Sequence, residues 1–143
     1  MAIPSGANTA VWLTDSGGTQ RNLSTFCDST DVSWDRDALE TTTYSSSAAP
    51  ARTRIPGLQD GSFSLGGKWD NGGTGTPDQW LSGLIGGTVT TTFVLALNGS
   101  ASGRPYDTGA AICTSYAKSA PFDDVVTWSA DFQVTAGITR GTF

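Results

Sequence analysis

The sequence predicts a mainly β protein, a β-sandwich or open barrel of about six to eight strands with one flanking α-helix (roughly residues 77–86) and a long loop (roughly residues 41–60). The clearest signal is the alternation of apolar and polar residues from Val126 to Thr135, because a period of two places one set of side chains on a buried sheet face. Gly, Thr and Ser are abundant while Leu and Glu are scarce, which favours strands and turns over helices.

The first 40 residues contain two predicted strands. Ala10–Thr14 is a short apolar strand followed by a glycine turn. Thr30–Asp37 alternates, with Val32 and Trp34 on the side expected to be buried. Asn22–Cys27 is either a further short strand or an extended connector.

Neither period is present between Glu40 and Asp60. A loop of this length within a compact domain is uncommon and is usually functional or disordered. Alternation resumes over Ser62–Asp70, where Gly66 and Gly67 predict a bulge or a close approach of two backbones. The residues of this strand expected to point inward are Phe63, Leu65, Gly67 and Trp69.

One helix is predicted after this strand. Thr76 is a suitable N-cap, Pro77 suits the first helical position and Asp78 complements the helix dipole, while Gly86–Gly87 ends the helix. Its apolar stripe consists of Trp80, Leu81, Leu84 and Ile85. Three more strands follow, at Thr88–Leu97 (Phe93, Leu95 and Leu97 on one face), Ala111–Tyr116 and Val126–Thr135.

Length and charge limit the possible functions. The chain has 143 residues, a formal net charge of −5 and no histidine. We expect residues 1–143 to form a single domain, with residues 1–8 as a flexible arm. An acidic chain repels phosphates, so a high-affinity nucleic-acid reader is not expected. The absence of histidine removes the commonest general base and metal ligand, which argues against an enzyme.

The two cysteines and the N-terminus indicate where the protein is made. Cys27 and Cys113 lie far apart without other cysteines or histidines beside them, and we interpret them as buried thiols in a reducing compartment rather than a disulfide. No signal-peptide pattern is present and no apolar run approaches membrane-spanning length. We therefore expect neither secretion nor insertion into a membrane.

No motif indicates catalysis, a cofactor or a metal ion. The carboxylates of Asp35–Glu40 lack the spacing of a calcium loop, so an exposed strand face and turn is the better interpretation. Asp70–Thr76 lacks the lysine of a P-loop and the closing glutamate of an EF-hand, and Ser45–Ser47 have no histidine for a hydrolase triad. The expected catalytic, cofactor-binding and metal-binding residues are therefore none.

The five tryptophans are interpreted mainly as core residues, since each ring buries a large apolar area. Trp34, Trp69 and Trp128 lie on the inward phases of their strands and Trp80 on the helix stripe, whereas Trp12 is ambiguous. An exposed ring at Trp12 or Trp34 would instead indicate a carbohydrate-binding β-sandwich module, which is an alternative.

The long loop and open sheet edges favour self-assembly over catalysis. Edge strands expose backbone groups that proteins cover or pair with another subunit, and a long loop can become ordered on contact with a neighbour. The residues expected at a subunit interface are Tyr44, Arg52, Arg54, Ile55, Leu58 and Asp60.

Three segments, in order, resemble tail tube proteins (major tail proteins) of long-tailed phages with non-contractile tails. They are Thr30–Tyr44 (TDVSWDRDALETTTY), Arg54–Asp70 (RIPGLQDGSFSLGGKWD) and Ala120–Gly141 (APFDDVVTWSADFQVTAGITRG). The resemblance covers most of residues 30–143 and rests on the order of the three segments rather than on a single motif.

This resemblance implies a structural virion protein of the tail, assembled in the host cytoplasm. Six copies would form a ring, rings would stack into a tube, and DNA would pass through during ejection without specific binding. The long loop would contact a neighbouring subunit or ring. Other tail proteins, such as the tape measure, terminator and distal tail proteins, are the further partners implied. A tail completion or head decoration protein is an alternative.

An acidic, solvated sheet face lining such a channel would repel DNA and prevent sticking. Asp35, Asp37 and Asp131 lie on the polar phases of their strands and are the candidates to face the lumen. The outer surface of the tube is the equal alternative for each of them.

Overall fold

A computed structural model describes residues 3–43, 52–70, 74–88 and 90–143. Within these ranges the chain forms eight strands and one α-helix, which confirms the predicted mainly β class. A short 3-10 helix at Gly6–Asn8 precedes them. The elements are β1 (Ala10–Thr14), β2 (Gln20–Asn22), β3 (Cys27–Glu40), β4 (Arg54–Lys68), α1 (Pro77–Gly86), β5 (Thr91–Ala96), β6 (Pro105–Ser119), β7 (Thr127–Val134) and β8 (Thr139–Thr142).

The strands form one antiparallel sheet in the order β2-β1-β5-β6-β7-β4-β3, with β8 paired to β6. The long strand β6 joins the two halves, because its first part pairs with β5 and β8 and its second part pairs with β7. Among the described residues β2, β3 and β8 pair on one side only, so the sheet is open, with β2 and β3 at its two ends and β8 as a further short edge.

The sheet curls so that one face encloses the core. The ring of Phe63 on β4 stacks on Phe132 of neighbouring β7 at 4.7 Å, and it also lies 4.7 Å from Phe93 of β5. Because β6 and β7 separate β4 from β5 in the sheet, this second contact requires strong curvature. Leu81 and Leu84 of α1 pack into the same core.

The prediction of a loop at residues 41–60 is wrong for residues 54–60. Arg54–Asp60 belongs to β4 and pairs with β3 as far as Glu40 opposite Arg54. Nearly all side chains in this part of the hairpin are exposed, so no alternation of apolar and polar residues marks it as a strand. A bulge between Arg36 and Ala38 further shifts the register. Residues 44–51 lie outside the described residues.

Two residues predicted to be buried are exposed. The side chains of Val32 and Trp34 are 36% and 49% exposed. Both side chains point to the same side of the sheet as the core. However, β3 is the edge strand and contacts mainly β4, so no core residues cover this side of β3. Leu97 is 48% exposed because β5 ends at Ala96. Trp128, by contrast, is buried, as predicted.

The helix has the predicted bounds, but its N-terminus is capped differently. Thr76 occupies the N-cap position without making a side-chain cap hydrogen bond. Instead, the side-chain oxygen of Gln79 accepts a hydrogen bond from the backbone N–H of Gly75 at 2.8 Å. Ile85, predicted in the apolar stripe, is 45% exposed because it lies at the outer margin of that stripe.

Asp78 has a role that the sequence did not reveal. Its Oδ1 accepts hydrogen bonds from Tyr116 Oη at 2.8 Å, Lys118 Nζ at 3.0 Å and Trp69 Nε1 at 3.2 Å. These contacts tie the first turn of α1 to β6 and to the end of β4. The hydrogen bond from Tyr116, with those from Lys118 and Trp69, lowers the pKa of Asp78 below its ordinary value.

Replacing Asp78 with Asn is expected to make the free energy of unfolding depend less on pH in the acid range. A carboxylate whose pKa is lowered on folding stabilises the fold above its unfolded pKa of about 3.9, and this contribution is lost as the pH falls through the lower folded value. Urea unfolding of the monomer between pH 2 and pH 6 measures the effect. The exposed Asp123→Asn is the matched control; equal slopes for Asp78→Asn and the wild type would contradict the prediction.

The close backbone approach predicted at Gly67 is present. A Cβ placed on Gly67 would lie 1.8 Å from the carbonyl oxygen of Phe26, in the turn before β3. Since two backbones meet there, no side-chain rotation relieves the clash. This contact requires glycine at position 67.

Gly67→Ala is expected to destabilise the fold by about 3 kcal/mol, the upper range for forcing an atom into a packed site. Gly86→Ala is the matched control, because a Cβ on this helical residue meets nothing within 4 Å and alanine favours helices over glycine. Chemical denaturation of both variants measures the difference. A Gly67→Ala midpoint equal to that of Gly86→Ala would refute the clash.

Candidate assembly surfaces

Five carboxylates lie on the sheet face that points away from the core. The register places Asp31 of β3 and Asp131 of β7 on either side of Ser64 of β4, as direct cross-strand neighbours. Two rows further along β3, Asp35 lies directly opposite Asp60. Asp37 follows on the same phase. We call this surface the acidic face; its carboxylates are Asp31, Asp35, Asp37, Asp60 and Asp131, all exposed.

Neutral polar groups, rather than cations, surround these carboxylates. Ser33 donates a hydrogen bond to Asp35 at 3.3 Å, and the side-chain amide of Gln133 donates to Asp60. None of the ion pairs between described residues involves the acidic face. Because like charges directly opposite each other destabilise a sheet, the Asp35–Asp60 pair indicates a surface that carries its negative charge at some cost in stability.

The three predicted acids, Asp35, Asp37 and Asp131, therefore share one surface, although β4 separates their strands. Asp31 has the same phase as Asp35, so alternation alone indicated it. Asp60 was assigned to a loop, and only its pairing with Asp35 places it on this face.

A two-stranded ribbon projects from the body of the protein. Pairing of β4 with β7 stops at Ser62, while pairing of β4 with β3 continues to Arg54. We call this ribbon, residues 35–43 and 52–60, the arm. Leu58 is 82% exposed. Leu39 and Ile55, which face each other across the ribbon, are 51% and 52% exposed.

The arm contains most of the predicted interface residues. Arg52, Arg54, Ile55, Leu58 and Asp60 lie within it, and Asp60 also belongs to the acidic face. Tyr44 lies outside the described residues. Arg52 is 3.8 Å from Glu40 in an exposed ion pair, which contributes little to stability. Exposed apolar residues on a ribbon with little stability of its own indicate an interaction surface.

The tryptophans considered for carbohydrate binding have different environments. Trp12 packs against Phe143 at 5.9 Å and, with Tyr106, lines a groove of about 380 Å³ on the outer face of β1, β5 and β6. Its ring is therefore partly covered rather than presented as a flat platform. Trp34 is the more exposed ring, and it lies near the base of the arm.

The described residues contain neither a cluster of metal ligands nor a membrane-spanning helix. No group of three or more potential metal-ligating side chains is found there. The described helix is too short and too polar to cross a membrane. Cys27 and Cys113 are unpaired and half-buried, and burial raises the pKa of the Cys27 thiol to about 12.

No protein-family model matches the sequence, and no curated protein matches it. Solved structures do match. A chain from the tail of an empty GTA (gene transfer agent) particle with C6 symmetry superposes with a TM-score of 0.80 at 12% identity, covering 98% of this chain and 100% of that chain. A chain of the SPP1 tail tube superposes with a TM-score of 0.75 at 14% identity, covering 99% and 80%.

The chain has the tail tube fold. A sheath–tube complex of an extracellular contractile injection system also contains a chain with the tail tube fold; it matches with a TM-score of 0.71 at 12% identity, covering 99% of this chain and 93% of that one. The tail tube fold therefore occurs in contractile systems too, and it does not select between contractile and non-contractile tails.

Proposed function

We propose that this chain is the subunit of a tail tube, a structural and non-enzymatic role in which residues 1–143 act as one domain. Copies assemble into rings of six in the host cytoplasm, and the rings stack into the conduit of a virion tail. The observation that carries the proposal is the tail tube fold, shared over 98% of this chain with a protein from a tail of C6 symmetry.

The acidic face supports a role as the lining of the conduit. Asp31, Asp35, Asp37, Asp60 and Asp131 would face the lumen. A lumen with five carboxylates per subunit and no cation among them repels DNA phosphates, so DNA passes without adsorbing. The outer surface needs no such arrangement, which is why we assign this face to the lumen.

The arm supports a role in contacts between subunits. An exposed ribbon with Leu39, Ile55 and Leu58 gains apolar burial only against another molecule, and the open edges at β2 and β3 can extend the sheet into a neighbour. Arg54 pairs with Glu40 on the opposite face of the ribbon, and Arg52 lies 3.8 Å from the same Glu40. We include both arginines, with Tyr44, in the interface.

Further tail proteins complete the proposed assembly. A tube needs proteins that set its length and close its ends, and we propose tape measure, terminator and distal tail proteins as partners. A match to a chain in a sheath/tube terminator structure of a contractile injection system, with a TM-score of 0.69 at 13% identity, supports the terminator.

Negative-stain electron microscopy of the purified protein over a range of concentration and salt tests the proposal. We expect rings with six-fold symmetry that stack into tubes as the concentration rises. Analytical ultracentrifugation gives the independent reading. A protein that stays monomeric at millimolar concentration in every condition, without rings on the grid, would rule the proposal out.

A further inference from the structure

A groove lined by aromatic rings lies on the outer face of the part of the sheet formed by β1, β5, β8 and the first part of β6. Trp12 of β1 pairs with Val94 of β5, and Val94 pairs with Thr108 of β6. Since directly opposite residues project to the same side of a sheet, these three side chains share one face. The groove has a volume of about 380 Å³, within the range of roughly 300–1,000 Å³ that is typical of small-ligand sites.

Three aromatic rings meet in this groove. The ring of Phe143, which follows β8, lies 5.9 Å from the ring of Trp12 and 4.7 Å from the ring of Tyr106, at interplanar angles of 56° and 49°. Backbone hydrogen bonds with Gly103 and Arg104 hold Phe143 in place, and its side chain is 39% exposed. The tilted rings therefore form one cup, rather than a flat platform or a row of parallel rings.

Uncharged groups that form hydrogen bonds complete the lining. They are the side chains of Gln20, Thr108 and Thr142. The hydroxyl of Thr108 donates to the carbonyl oxygen of Phe93 at 2.8 Å, so its oxygen is left to accept a hydrogen bond, whereas the amide of Gln20 can both donate and accept. Among the described residues, those that line the groove carry no formal charge. Arg21, next to Gln20 in the sequence, points to the other face of the sheet, where its guanidinium lies 5.5 Å from the centre of a helix tryptophan ring.

We propose that this groove binds a neutral sugar residue and that it does so on the outer surface of the tube. A pyranose ring presents C–H groups on its faces, which pack on aromatic rings, and hydroxyl groups at its rim, which bond to amide and hydroxyl side chains. A charged ligand would lose its hydration without gaining a countercharge, which is costly. A proline-rich peptide also docks on aromatic grooves, but it lies extended at about 3.1 Å per residue and fits a row of rings rather than one cup.

The curvature of the sheet places the groove opposite the acidic face. Phe63 of β4 and Phe93 of β5 meet at 4.7 Å across the core. Their sequence neighbours Ser64 and Val94 point away from the core, and therefore away from each other. Ser64 lies in the acidic face and Val94 lines the groove, so a tube with the acidic face toward the lumen presents the groove to the outside. This placement rests on the proposed function, whereas sugar binding by the free subunit does not.

A weak site gains strength when it is repeated along a tube. Every subunit would present one groove on the outer wall, so a surface rich in neutral polysaccharide would be held at many points at once. Linked binding events of this kind raise the overall affinity well above that of a single site. The groove thus gives the tail a means of adhering to polysaccharide through its wall.

NMR of the indole N–H signals of the unassembled subunit tests the groove. Methyl glycosides of glucose, galactose, mannose and N-acetylglucosamine are titrated to about 100 mM, since a ligand of this size is expected to bind with a dissociation constant on the order of 1 mM. At least one of them is expected to shift the signal of Trp12, assigned from its loss in Trp12→Phe, and to leave the signal of Trp34 unchanged. The anionic N-acetylneuraminic acid is expected to shift neither.

Substitutions in the lining give the second reading. Gln20 is exposed, so Gln20→Ala should leave thermal unfolding unchanged while it weakens sugar binding roughly fivefold through the lost hydrogen bonds. Phe143→Ala is expected to weaken binding roughly tenfold, and Trp34→Ala, the matched control on β3, should bind like the wild type. No shift of the Trp12 signal with any of the four glycosides, or unchanged binding by both lining variants, would overturn the inference. A shift with a proline-rich peptide and none with the glycosides would assign the groove to a peptide and overturn it as well.

Assembled tubes test the outward placement. The glycoside that shifts the Trp12 signal is attached to a soluble polymer too large to enter the lumen, and the polymer is sedimented with tubes. We expect wild-type tubes to carry the polymer into the pellet and tubes of Gln20→Ala/Phe143→Ala to leave it in the supernatant. Binding of the free glycoside without capture of the polymer would overturn the placement on the outer surface. Absence of rings and tubes from the wild type would overturn the proposed function, and the NMR titration of the groove would stand apart from that result.

Discussion

A variant with Leu39, Ile55 and Leu58 all replaced by threonine is expected to remain a folded monomer that does not assemble. The three side chains are 51%, 52% and 82% exposed, so the monomer loses little by their replacement. Threonine is β-branched, which suits a strand. In a tube these side chains would be covered, and each would contribute roughly 1 kcal/mol through partial burial.

The expected effect on assembly is large because these contributions act together. A loss of about 3 kcal/mol per contact corresponds to roughly a 100-fold rise in the concentration at which rings and tubes form. Sedimentation velocity and negative-stain microscopy across a concentration series measure it. Ile85→Gln is the matched control, since Ile85 is 45% exposed on α1, away from the arm. Assembly of the triple variant at wild-type concentrations would show that the arm is not an interface.

Reversing the charge of the acidic face is expected to convert a tube that does not adsorb DNA into one that binds it. Replacing Asp31, Asp35 and Asp131 with lysine adds two positive charges at each position, which changes the formal net charge of each subunit from −5 to +1. Lysines that neutralise phosphates release counterions, so binding should weaken steeply with salt, with a log–log slope of roughly −0.9 per phosphate contacted. Co-sedimentation of tubes with duplex DNA at several salt concentrations measures this slope.

The form of the DNA distinguishes the lumen from the outer surface. A short linear duplex can enter an open tube, whereas closed circular DNA can reach only the outside. If the acidic face lines the lumen, the variant tubes will retain linear duplex and leave circular DNA in the supernatant. Equal binding of both forms would place the face outside. A control with lysine at Asp107, which lies on β6 off the acidic face, should bind both forms alike.

Some of the acidic face was predictable from the sequence and some was not. Asp31, Asp35 and Asp37 share one phase of a single strand, and a period of two is visible without any structure. Their proximity to Asp131 depends on β4 lying between β3 and β7, and the pairing of β4 with β7 joins residues 59 to 71 positions apart. Asp60 was not predicted on this face because neither side of the arm is buried, so no alternation of apolar and polar residues identifies residues 54–60 as a strand.

The sequence by itself determined the elements with one side in the core, such as β1, α1 and β7, because burial leaves a local period in the order of residues. It also determined the acidic charge and the need for glycine near Gly67. Only the tertiary structure decided three features. Trp34 points to the inner side of the sheet but lies beyond the core, and residues 54–60, predicted as part of a loop, form one strand of the arm. Asp78 accepts hydrogen bonds from three side chains outside its helix. Those outcomes depend on which distant strands become neighbours and on where the sheet ends. Neither produces a periodic pattern of apolar residues in the sequence.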